Sequence, residues 1–166
     1  SMDAKTLEEE LGVQRDLVDD LVEQAAAGQA PQMVEDAKAV LQRHRVLTQK
    51  ALEACDGKSP EAKQSVQKTI AKLNEELPKL IEAAKDVLAH PDDEAARKKL
   101  EERAEKINKL YKKLSPESID EEERERLAKI AAAEAKRAAE EEQRRQEALA
   151  RAPTAKRSRF EDYRAD

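Results

Sequence analysis

The sequence predicts an all-α protein: an antiparallel up-down four-helix bundle over 1–115, a long charged helix over 116–152 and a basic tail over 153–166 that is disordered or ordered only on a partner. Three observations predict it. Charged residues make up 42% of the chain and aromatics 2%, with three glycines and no tryptophan, whereas sandwiches and barrels need turn glycines and many β-branched or aromatic side chains. Ala, Glu, Lys, Leu and Arg dominate instead, and these are the strongest helix formers. The apolar residues recur at steps of three and four, which keeps them on one helical face.

The first helix, about 4–27, carries the stripe Leu7, Leu11, Gln14, Val18, Leu21 and Ala25, widened by Leu17 and Val22. Gly28 stops it, and Pro31 suits the first turn of the next. The second, about 31–55, runs Met33, Ala37, Val40, His44, Leu47, Ala51 and Ala54, and Gly57 ends it. Ser59-Pro60 is an N-cap followed by an N1 proline. It opens a third helix over 60–89 with Val66, Ile70, Leu73, Leu77, Leu80, Ala84 and Val87 on one side. Pro78 lies inside this stripe without shifting its phase, which predicts a kink rather than a break.

His90-Pro91-Asp92-Asp93 is a turn in which either aspartate can cap the fourth helix. That helix, about 94–114, carries Leu100, Ala104, Ile107, Tyr111 and Leu114, and Ser115-Pro116 closes it. Charge suits the up-down order. Ser1 to Gly28 holds eight acidic and two basic residues, and Glu94 to Leu114 eight basic and four acidic, so acidic first and basic fourth helices would be neighbours. Beyond Leu114 the apolar edge thins to Ile119, Leu127 and Ile130. From Ala131 to Ala150 the one large apolar residue is Leu149, and Glu and Arg alternate in blocks. Such a helix is supported by pairs three and four apart and lies in solvent or on a partner.

A net charge of −5 argues against nucleic acid as the partner of the whole chain. The single Cys55 suits a reducing compartment and reads as a small buried hydrophobe. No apolar run approaches the roughly 20 residues that span a bilayer, so the expected location is cytoplasmic, with the nucleus as the other choice. Ser1-Met2 reads as a remnant of tag removal, and the chain as an excerpt of a larger protein. No phosphate loop, zinc spacing or nucleophile motif occurs, so neither an enzyme nor a cofactor or metal is expected. His44 reads as a satisfied core histidine and His90 as a turn residue. Glu8-Glu9-Glu10 and Glu121-Glu122-Glu123 are placed in helix first turns, where acids complement the dipole.

The candidate partner-binding residues lie in the tail: Lys156, Arg157, Arg159, Phe160 and Tyr163. Two aromatics three apart among cations have no core to fill and suit a docking peptide. An inert terminus is the alternative for this stretch, and a localisation signal or a phosphate contact is another reading of its cations.

The run Leu77-Pro78-Lys79-Leu80-Ile81-Glu82-Ala83-Ala84, then His90-Pro91-Asp92-Asp93 and a helix with Ala95, Leu100 and Ala104, resembles the helical bundles of the vinculin, α-catenin and talin-rod type over Val66 to Leu114. The resemblance implies a cytoskeletal adaptor or scaffold that binds actin or junction and adhesion proteins through helical surfaces. A rival expectation is a nuclear or ribonucleoprotein assembly factor using Arg144-Arg145 and the tail. Against it, the chain from Ser115 onward holds twelve basic and fourteen acidic residues.

Overall fold

Five helices follow one another in the computed structural model, which describes residues 3–152: α1 (Ala4–Ala26), α2 (Ala30–Glu53), α3 (Pro60–Ala89), α4 (Glu94–Lys113) and α5 (Pro116–Arg151). No strand occurs among the described residues. Two starts are capped as the sequence suggests, α3 by Ser59 and α4 by Asp93, and Asp3 caps α1 besides. Asp3 accepts from Thr6 N, Ser59 from Ala62 N, and Asp93 from both Ala95 N and Ala96 N, each satisfying donors that the first turn leaves open. Gly28 and Gly57 follow α1 and α2 at φ 73° and 80°. A side chain would be strained there, which is why glycine ends these helices.

One core draws on every helix. Leu7, Leu11, Val18, Leu21 and Ala25 of α1 meet Met33, Val40, Leu47 and Ala51 of α2. With them are Val66, Leu73, Leu77, Leu80, Ala84 and Val87 of α3 and Leu100, Ala104, Ile107 and Tyr111 of α4. Ile70 and Ala54 are partly buried at its edge. The closest pairings are α1 with α2 and α3 with α4, while α1 also packs on α4 and α2 on α3. α3 runs unbroken through Pro78. The missing N–H leaves the Asn74 carbonyl without its usual helical donor four residues on.

One expectation about charge needs correction. α1 begins at Ala4 and α5 at Pro116, so Glu8-Glu9-Glu10 and Glu121-Glu122-Glu123 fall beyond the first turns, past the reach of the dipole's strongest field. The acidic α1 and basic α4 do pack together. Yet among the described residues no ion pair joins them. Asn108 Nδ2 donates to Asp19 Oδ1 at 2.8 Å, beside a groove of about 510 Å³ that Arg15, Glu101 and Lys109 also line.

The chain divides into two compact units, residues 1–123 and 124–166. The first takes in the opening turns of α5, eight residues past Ser115. Leu114, Ser115 and Ile119 are buried, Lys58 pairs with Asp120, Ser59 Oγ donates to Glu123 Oε2 at 2.7 Å, and Ser65 Oγ donates to Glu122 Oε2 at 3.2 Å. In the second unit every residue from Leu127 to Arg151 is exposed. Its contacts within the helix include Arg145–Glu142 at 3.4 Å and Gln143 to Glu147 at 3.4 Å, the pairing that supports a helix without a tertiary face.

Candidate functional site

Two clusters of polar side chains stand out, one inside the core and one at the seam of α3 and α4. The inner one is a layer to which four helices contribute. Gln14 of α1 is fully buried, and its Nε2 donates to Val40 O at 2.8 Å and to Tyr111 Oη at 3.1 Å. Tyr111 Oη lies 2.8 Å from His44 Nδ1, and His44 Nε2 lies 2.7 Å from Asn74 Oδ1. The directions follow from the acceptors. Asn74 Oδ1 can only accept, so Nε2 carries the histidine proton, Nδ1 accepts from the Tyr111 hydroxyl, and that hydroxyl accepts from Gln14. The rings of His44 and Tyr111 meet edge to face, centroids 5.8 Å apart at 72°. Gln14 Oε1 is buried and has no partner among the described residues.

Burial pushes the His44 pKa below its ordinary value, against the opposing effect of Asn74, and pushes Tyr111 up to about 12. Both rings are therefore neutral near pH 7. A histidine whose folded pKa lies below its unfolded one contributes stability above about pH 6.5, and that stability is lost as the pH falls.

At the α1–α2 seam the carboxyl groups of Asp20 and Asp36 lie close enough to interact, and Asp36 Oδ2 is buried without a hydrogen-bond partner among the described residues. Burial, then the Asp20 carboxyl and its charge, raise Asp36 to about 7, while the same contact holds Asp20 low. The sign is opposite to that of His44: folding gains from this proton at low pH and loses it as the pH climbs through about 7. Asp36→Asn keeps a donor facing Asp20 at every pH. It is expected to stabilise the chain by about 1 kcal/mol at about pH 8 and to be near neutral at about pH 5, measured by urea denaturation.

The outer cluster centres on Glu76 of α3, whose side chain is 2% exposed. Lys106 Nζ donates to its Oε1 at 3.2 Å, and Arg103 Nη1, Lys79 Nζ and Lys72 Nζ stand at 3.6, 3.8 and 3.9 Å. Burial alone would raise the Glu76 pKa. The Lys106 hydrogen bond and the charges of Lys106, Lys79 and Lys72 outweigh it and hold the group below its ordinary value, so it is ionised. Beside it a groove of about 340 Å³ runs between α3 and α4.

No family model, no curated protein and no solved structure matches this chain. The residues that sequence reasoning proposes for partner binding, Lys156, Arg157, Arg159, Phe160 and Tyr163, lie outside the described residues. Cys55 is buried, and its Sγ lies 3.5 Å from Ala51 O. Burial raises its thiol pKa, which lowers its reactivity. Among the described residues no group of three or more His, Cys, Asp or Glu side chains is placed to hold a metal ion, and no helix is long and apolar enough to cross a membrane. Sequence reasoning misses Glu76 and its cations. The signal was Lys72 and Lys79 four before and three after a glutamate beside the apolar stripe, with Arg103 and Lys106 three apart on the next helix.

Proposed function

We propose that the chain is a non-enzymatic cytoplasmic adaptor module, in which α1–α4 form an antiparallel up-down four-helix bundle that binds protein partners through its helical surfaces. The rest of α5 serves as a spacer or partner-binding helix. The observation that carries this reading is the use made of the chain's reactive side chains. His44, Tyr111 and Gln14 bond one another across helices, and Glu76 joins α3 to α4. What meets another molecule is thus the outer faces of helices. Short connections between α1, α2, α3 and α4 suit antiparallel neighbours. The resemblance of Val66 to Leu114 to vinculin-type bundles points to actin or a junction or adhesion protein as partner, with the tail residues Phe160 and Tyr163 as an added contact.

Cosedimentation of the full chain with filamentous actin at rising salt tests this. The expected result is sedimentation with the filament at low salt, weakened by replacing Lys156, Arg157, Arg159, Phe160 and Tyr163 with alanine. A chain that stays in the supernatant at every salt concentration counts against the actin partner.

A further inference from the structure

The four cations around Glu76 exceed what it can neutralise. Glu76 offers one negative charge, and Glu75 adds another through Lys79 at 3.6 Å and Lys72 at 3.9 Å. With Lys99 added and Glu82 and Asp86 counted, five positive charges face four negative ones at the seam of α3 and α4. Lys99 stands with Lys79 and Arg103 along the neighbouring groove, whose lining also includes the apolar Pro78, Ala83 and Ala96. Arg103 is about a quarter exposed, and its guanidinium is held by a carboxylate on another helix, so part of the entropy a ligand would otherwise have to remove is already gone.

We infer that this seam is the docking surface for a segment of a protein partner with acidic and basic residues in turn, its carboxylates on Lys79, Lys99, Arg103 and Lys106, its cations beside Glu82 and Asp86 and its apolar side chains on the alanines and Pro78. Glu82 and Asp86 line the same groove. They repel a phosphate backbone along its length, whereas a peptide with acidic and basic residues in turn satisfies both ends and is held in one direction. Charge at the rim speeds encounter and selects the partner, and salt weakens it.

This inference rests on the adaptor reading and names its surface, so the test separates the two. The full chain is titrated into a fluorescein-labelled amphipathic peptide of alternating glutamates and lysines, and separately into labelled oligouridine, with anisotropy as the readout. Lys79→Glu/Arg103→Glu is compared with Lys85→Glu/Lys98→Glu, which changes net charge equally on the same two helices, and circular dichroism confirms that both fold. Peptide binding should fall with salt and weaken by about tenfold or more in the first variant, while the second stays within about twofold of the parent. Equal losses in the two variants, no peptide binding at low salt, or tighter binding of oligouridine would overturn the inference. Filament sedimentation that persists in Lys79→Glu/Arg103→Glu sinks this surface and leaves the adaptor reading standing.

Discussion

Tyr111→Ala is expected to destabilise the first unit by about 3 to 5 kcal/mol, the range for truncating a fully buried aromatic side chain. Tyr111 is 0% exposed, and its ring fills the centre of the core against His44. The loss has two parts that a second variant separates. Tyr111→Phe keeps the ring and removes the hydroxyl, leaving His44 Nδ1 without its donor and one of the two Gln14 Nε2 bonds unmade. A buried group left unsatisfied costs about 1 to 3 kcal/mol. Urea denaturation at about pH 7.5 should therefore rank the proteins as parent, Tyr111→Phe, Tyr111→Ala. If Tyr111→Phe matches the parent, the polar layer contributes nothing and the aromatic packing carries the whole effect.

Ile119→Ala is expected to cost about 2 to 5 kcal/mol, although composition places this residue in the charged extension. Ile119 is 2% exposed, and the opening turns of α5 are held further by Lys58–Asp120, Ser59–Glu123 and Ser65–Glu122. The exposed polar contacts add little each, so the apolar contact dominates. Leu127→Ala, eight residues on and 56% exposed, is expected to change stability by less than about 0.5 kcal/mol. A thermal melt of both variants decides it. Equal, small effects would mean that α5 contributes no core residue.

Much of the fold is legible in the sequence because it depends on local periodicity. All six positions of the α1 stripe are buried, down to Gln14, and the caps at Ser59 and Asp93 come from residue type alone. The illegible part depends on pairing at long range. Gln14 and Tyr111 are 97 residues apart in the chain, and no spacing rule joins them. Glu76 lies off the stripe that its neighbour Leu77 carries, yet α4 closes over it with Arg103 and Lys106. The Asp20–Asp36 pair is hidden for the same reason: each is an ordinary surface aspartate until α1 and α2 meet. Residues 116–123 share their charged composition with the remainder of α5, so charge content gives no sign that they close one end of the core.

The polar layer is the most direct evidence that α1, α2, α3 and α4 share one interior, and the nitrogen spectrum of His44 reads it. With ¹⁵N-labelled histidine near pH 7, His44 should be the neutral Nε2–H tautomer, with Nδ1 shifted by an accepted hydrogen bond that Tyr111→Phe abolishes. It should also resist protonation to a pH below the ordinary histidine value. A His44 that titrates at the ordinary histidine value as a mixture of tautomers, unchanged by Tyr111→Phe, would contradict the shared core.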